Sequence, residues 1–273
     1  MSMIRSSAFL LNMAILYLLM TADSFAQDSL SIFVYPSEKE LDASLQSIVL
    51  ERPGSYKYEY VLFNSPSSNQ RVWELSIFNV PLIDSLNKPT GWDVGTSTVP
   101  AQRLTWAASD SSYDILPGAR LPGFQIISSM PPSIKDFYAT GWIEVPHIEV
   151  EPDSIVGGDF PENSFHGNTI GPMTTPFLLS PVALVDSLIY YTTRSLSLHW
   201  INTDSCATKY RQMFTQIRNH ITKSDLELAC HLLDTVLQQV QIDSPLLITP
   251  EAYTLICINS RKLKTDLESQ AHR

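Results

Sequence analysis

Six carboxylates, Glu144, Glu149, Glu151, Asp153, Asp159 and Glu162, fall within nineteen positions of this chain, with His147 and His166 nearby. Oxygen-rich segments of this kind hold Ca²⁺, a hard cation that takes about six to eight oxygen ligands. Glu149, Glu151, Asp153 and Asp159 are the candidate ligands. The spacing follows no calcium-loop pattern, because Pro146, Pro152 and Gly157-Gly158 interrupt the acids, and a solvated linker has the same composition. Trp92, in Thr90-Gly91-Trp92-Asp93, and Trp142, after Thr140-Gly141, are the candidate ligand-binding aromatics. A ring beside a turn stacks on a sugar if it is exposed, and plugs the end of a sandwich if it is not. Zinc is disfavoured, since no two cysteines or histidines share a short ligand spacing.

A search for catalytic signatures returns none. The sequence lacks a Gly-x-Ser-x-Gly elbow, His-Glu-x-x-His, a phosphate-cradling glycine loop and Cys-x-x-Cys. The six histidines are scattered singly. Paired carboxylates of a glycoside hydrolase converge only in space, so their absence from the spacing says little, yet nothing singles out a pair. No catalytic residue is assigned.

Composition narrows the partners. Eighteen Lys and Arg stand against 28 Asp and Glu in 273 residues, a formal net charge of −10. Nucleic acid is a poor partner for such a chain, because phosphate backbones demand clustered cations. Charged residues make up 17% and hydrophobic ones 44%, the balance of a folded chain.

The N-terminus reads as a secretory signal peptide over residues 1–26. Arg5 supplies the positive charge, Ala8 to Met20 the apolar run, and Ser24-Phe25-Ala26 the small residues before a cleavage site. The run falls short of the roughly 20 apolar residues of a membrane helix. Gln27 is then the first mature residue, and the product is expected outside the cytoplasm, extracellular or periplasmic, with no further membrane span.

The elements that must position these residues change period along the chain. Over 27–155, short alternating runs are punctuated by Pro, Gly, Asn and Ser. Ser31–Tyr35 is a first strand candidate. Tyr56, Tyr58 and Tyr60 share one face of another, opposite Lys57 and Glu59. Trp73, Leu75 and Ile77 repeat the pattern, as do Leu104 with Trp106, Phe124 with Ile126, and Phe137 with Ala139. Trp73 and Trp106 are expected in the core. Pro117-Gly118 suits a type II turn, and Gly123 suits a bulge. Six or more such strands predict an antiparallel β-sandwich of the immunoglobulin-like class.

Residues 156–180 read as a Pro- and Gly-rich acidic junction, and 181–273 as a small up-and-down helical bundle. The stripes are Val185, Leu188, Ile189, Thr192 and Leu196; Ala207, Tyr210, Phe214, Ile217 and Ile221; Ala229, Leu232, Leu233, Val236 and Val240; and Tyr253, Ile256, Ser260, Leu263 and Leu267. Ser224-Asp225-Leu226-Glu227 predicts a capping box, and Thr249-Pro250 a second helix start. Cys206, Cys230 and Cys257 all lie in this part, and read as small buried hydrophobes rather than a disulfide framework.

The order of these features resembles a group of exported, mostly uncharacterised bacterial proteins. The resemblance rests on Ile115, Pro117, Gly118, Leu121, Gly123 and Phe124, then Glu151-Pro152-Asp153, then Asn163-Ser164-Phe165, Gly167, Thr169 and Gly171-Pro172. The tail is similar to helical modules through Ile248-Thr249-Pro250-Glu251-Ala252-Tyr253-Thr254-Leu255. Where such tails carry Gly-Trp-Ile, this chain has His199-Trp200-Ile201. The motif residues are turn and packing residues, so the resemblance implies fold and export and brings no activity. The expected function is a secreted, non-catalytic interaction or structural module whose partner is a protein or an envelope polysaccharide. A carbohydrate-binding sandwich is the alternative, and an extracellular hydrolase ranks last.

Overall fold

The alternating runs form nine strands among the described residues, which in this computed structural model are 41–80, 83–97, 102–142, 164–174 and 180–271. They are β1 (Ala43–Arg52), β2 (Ser55–Asn64), β3 (Arg71–Phe78), β4 (Ser85–Asn87), β5 (Trp92–Ser97), β6 (Arg103–Ala108), β7 (Arg120–Ser128), β8 (Pro132–Trp142) and β9 (Ser164–Pro172). One sheet has the order β1-β2-β7-β4, the other β5-β6-β3-β8-β9, and every pairing is antiparallel. The first-strand candidate Ser31–Tyr35 lies outside the described residues.

Alternation decides what enters the core between the sheets. Tyr58, Tyr60 and Leu62 of β2 are buried with Leu75 and Ile77 of β3, Leu104 and Trp106 of β6, and Phe124 and Ile126 of β7. The Trp106 and Phe124 rings meet edge to face at 5.6 Å, a geometry the ring quadrupoles favour. Gly123 is the extra residue where Tyr60 pairs with Phe124 and Val61 with Pro122, and its φ of +106° is open only to glycine at low cost. Leu116-Pro117-Gly118-Ala119 is the expected turn, with Gly118 at φ +81° and the Ala119 amide donating to the Leu116 carbonyl.

Two sequence expectations shift in this layer. Trp73 leaves the core, because the β3–β8 register slips between Val72 and Glu74, so that Val72 is buried in its phase and Trp73 only half-buried. Residues 164–172, within the stretch read as junction, form β9 and extend the five-stranded sheet along β8 from Pro132 to Thr140. Glycines make that pairing close: a Cβ on Gly167 would lie 2.4 Å from the Phe137 ring, and one on Gly171 2.8 Å from Lys135 Cγ.

Four helices follow, α1 (Pro181–Ser197), α2 (Asp204–Thr222), α3 (Leu226–Asp243) and α4 (Pro250–Ala271). α1 packs on α2 and α4, and α3 on α2 and α4, while α4 also lies against β1, β8 and β9. Facing neighbours on several sides, α4 buries Ala252, Leu255, Ile256, Cys257, Asn259, Ser260 and Leu263 together, and Asn259 donates to the Pro132 carbonyl across 3.0 Å. No described helix is long and apolar enough to cross a membrane.

The helix ends hold three further results. The expected capping box does not form. Ser224 sits at φ +61°, Asp225 becomes the N-cap of α3, and the Asp225 carboxylate turns to His220 at 3.2 Å. His199, directly after the α1 C-cap, holds φ +58°, the left-handed position that glycine favours. At the far end of α3 the buried Asp243 carboxylate accepts from Lys209 at 2.6 Å, Tyr210 at 2.8 Å and Gln239 at 3.0 Å. Burial pushes its pKa up, but these hydrogen bonds and the Lys209 charge outweigh that and hold it below the ordinary value. The cysteines are free, Cys206 and Cys257 buried and Cys230 only half-buried. Burial raises all three thiols, which makes thiolate scarce at neutral pH.

Candidate functional site

Trp92 opens β5 at the tight turn of Gly91, whose own Cβ would collide with the Tyr113 ring. Its side chain is 1% exposed, stands edge to face on Phe124 at 5.1 Å, and donates from Nε1 to the Tyr113 carbonyl. That ring closes the end of the core and has no face for a sugar. Trp142, at the end of β8, is half-buried. Its Nε1 donates to the Asp114 carboxylate at 2.6 Å, and the Arg71 guanidinium sits 5.3 Å from its ring centre. Burial raises the Asp114 pKa, with the Trp142 hydrogen bond and Arg71 working against it. The candidate calcium ligands Glu149, Glu151, Asp153 and Asp159 lie outside the described residues. Among the described residues, no three His, Cys, Asp or Glu side chains converge as a metal site.

The register of the five-stranded sheet assembles a second group, on its outer face. β8 alternates Phe137 and Ala139 inward with Asp136 and Tyr138 outward, and β9 sets His166 opposite Tyr138 and Asn168 opposite Asp136. The Tyr138 and His166 rings stack with centroids 4.8 Å apart and planes 21° apart, and Phe78 of β3 meets Tyr138 from the other side at 4.9 Å. Asp136 accepts from Asn168 at 2.9 Å and lies 3.2 Å from His166 Nε2. With His166 stacked on Tyr138 and Phe78 tilted against it, the row presents aromatic rings, a hydroxyl and an imidazole. Burial and Asp136 raise the Tyr138 pKa, which keeps the phenol a hydrogen-bond donor.

A third group lies on the opposite side of β8. The phase that buries Phe137 also turns Lys135 inward, where it is 5% exposed. Its ammonium donates to the Asn79 carbonyl and to the Thr174 hydroxyl, both at 2.5 Å, and its stem crosses the Cα of Gly171. Burial lowers its pKa to about 8, with Asp136 pulling the other way through the strand. Lys135 borders a cleft of about 490 Å³ between the ends of β8 and β9 and the first three turns of α1. Ile134, Met173, Ala183 and Tyr190 give it apolar walls, and Asp186 and Tyr191 also line it.

The sequence reading singled out none of Lys135, Tyr138 or Tyr191. Extending the Phe137–Ala139 alternation backwards by one step marks Lys135 as an inward lysine. Tyr138 and His166 meet only through the β8–β9 register, which the sequence does not display.

No family model matches the chain, and no curated protein matches it. Among solved structures it is similar to an uncharacterised protein from Nocardia farcinica whose crystal structure reveals an immunoglobulin-like fold. The identity is 14%, the match covers 47% of this chain and 98% of the other, and the TM-score is 0.29. The β-sandwich described above rests on strand order and register, not on that likeness.

Proposed function

We propose that this protein is an exported, non-catalytic interaction module that recognises a protein partner through the outer face of its five-stranded sheet. The observation that carries the reading is the Phe78–Tyr138–His166 row, flanked by Asp136 and Asn168. Aromatic side chains that also carry polar atoms dominate protein recognition, because each buries a large area at low rotamer cost and then fixes register by hydrogen bonding. Ordering within the row supports this, since its hydrogen bonds and ring contacts hold the side chains before a partner arrives. A sugar asks for something else, a flat ring with a free face. Trp92 is enclosed, Tyr138 has His166 stacked on it and Phe78 tilted against it, and Trp142 carries Arg71 over its ring. The signal-like residues 1–26 support export, and with it a partner in the envelope or outside the cell.

The test uses immobilised full chain and a Tyr138→Ser/His166→Ser double variant, both checked for fold by circular dichroism, and challenged with envelope extract. A protein retained by the parent and lost by the variant, identified by mass spectrometry, supports the reading. Equal retention by both removes the outer face as the recognition surface. Retardation in polysaccharide gels that disappears with Trp142→Ala transfers the function to the carbohydrate alternative.

A further inference from the structure

Lys135 combines a buried charge with an unfilled cleft. A buried ammonium is costly unless an anion pairs with it. Among the described residues no carboxylate forms an ion pair with Lys135: Asp136 points out of the opposite face of β8, and Asp186 on the cleft wall is engaged by Arg218 at 2.7 Å. The two acceptors that Lys135 does have are neutral and occupy two of its three N–H bonds. Tyr191, 6% exposed and lining the same cleft, makes no hydrogen bond through its hydroxyl among the described residues. Burial raises its pKa, so that hydroxyl remains a donor. One remaining N–H of the Lys135 ammonium and the Tyr191 hydroxyl thus belong to side chains that border one open cleft, next to an apolar wall.

We propose that the cleft between the β8–β9 ends and α1 binds a small organic carboxylate, gripped by the Lys135 ammonium and the Tyr191 hydroxyl, with its hydrocarbon part against Ile134, Met173 and Ala183. A cleft of about 490 Å³ has the size of small-molecule sites, which run about 300–1,000 Å³. A monoanion fits its charge. Phosphate, with up to two charges, meets a single cation here and faces Asp186 across the cavity. The Ser133 and Ser187 hydroxyls on the wall already donate to the Gly171 and Ala183 carbonyls, so they offer lone pairs rather than protons. Carboxylate recognition thus falls to Lys135 and Tyr191. Gly171, one of the residues on which the sequence resemblance rests, acquires a role: without a Cβ it leaves room for the lysine stem on its way to the cleft.

The test is an amide-resolved NMR titration of the full mature chain with butyrate and benzoate, against butyramide and benzamide as isosteric neutral controls. The expected result is saturable shifts in the ends of β8 and β9 and in α1 with the acids only. Lys135→Met is expected to weaken binding by roughly tenfold or more, and Tyr191→Phe by several-fold, as loss of charged and neutral hydrogen bonds implies. The proposal is overturned if neither acid saturates, if the amides bind as well as the acids, or if a folded Lys135→Met binds undiminished. Should Lys135→Met not fold, the acid–amide comparison and Tyr191→Phe decide alone. Inorganic phosphate binding in the cleft without either carboxylate also overturns it.

Discussion

Lys135 makes a stability prediction with a definite sign. Its pKa is about 8 in the folded chain against an ordinary value of 10.5 when exposed. Between those values the unfolded chain holds a proton that the folded chain has released, so stability rises with pH through this window. The full effect is about 3 kcal/mol, at about 1.36 kcal/mol for each pKa unit. It is fully present as stability only above pH 10.5 and is lost as pH falls through about 8, so Lys135 burdens the fold at neutral pH. The perturbation is Lys135→Met, which keeps the stem and removes the charge. Urea denaturation of both chains from pH 7 to 9.5 gives the difference in unfolding free energy. Parent minus variant should become more favourable to the parent by about 2 kcal/mol across that range. The buried tyrosines Tyr58, Tyr60, Tyr191 and Tyr210 cancel, because both chains carry them. Asp136 on the opposite face of β8, and Asp186 and Tyr190 on the cleft wall, are likewise common to both. A difference flat to within about 0.5 kcal/mol would refute the view that a buried ammonium, rather than a hydrated one, occupies this position.

Other substitutions have equally definite signs. His199→Gly removes a side chain from a left-handed position and should stabilise the chain by about 0.5 kcal/mol in urea melts, the relief of strain exceeding the added freedom of the unfolded chain. Asp243→Ala leaves the Tyr210 hydroxyl and Lys209 without their acceptor and should cost about 2–4 kcal/mol. Because the folded pKa of Asp243 lies below its ordinary 3.8, its contribution is present above that value and disappears as pH falls through the folded one, which a parent-minus-variant acid titration would display. Trp92→Ala should cost about 3–5 kcal/mol, and any loss of partner binding it causes should track unfolding measured by near-ultraviolet circular dichroism. Gly171→Ala should shift the Lys135 stem and weaken carboxylate binding although Lys135 and Tyr191 are both retained in the sequence, read by the same NMR titration.

Hydrophobic period was legible in the sequence, and what depended on pairing was not. The four helical stripes became four helices because each repeats every three to four residues over several turns. Tyr58 and Tyr60, Trp106 and Phe124 reached the core by simple alternation. β9 escaped because Ser164-Phe165-His166-Gly167-Asn168 lacks alternating apolar residues. Its glycines match the bulk of Phe137 and Lys135 on the neighbouring strand, a fit between segments rather than within one. Trp73 was misplaced for a related reason: a register slip against β8 changes its phase, and one strand's sequence cannot report its neighbour's register. Ser224 failed as a cap because it takes φ +61°, and the N-cap position falls to Asp225, whose carboxylate pairs with His220 and makes no capping hydrogen bond. The candidate sites followed the same division. Trp92 was recognisable as a turn-side ring, but the Tyr138–His166 stack exists only through register.

The position of α4 in the order of synthesis has a consequence for how the chain acquires its structure. This helix follows every other described element, yet it covers β1, β8 and β9 and fills the centre of the helical layer. Its ties are long: Asn259 reaches Pro132 over 127 positions, and Arg261 reaches Glu51 over 210. Contacts of such sequence separation form slowly, since the entropy of closing the long loop between them is lost before the contact is gained. A nascent chain therefore emerges with its sandwich edge uncovered until α4 arrives. Brief protease treatment of a ribosome-held chain should cut freely until that arrival and sparingly after it.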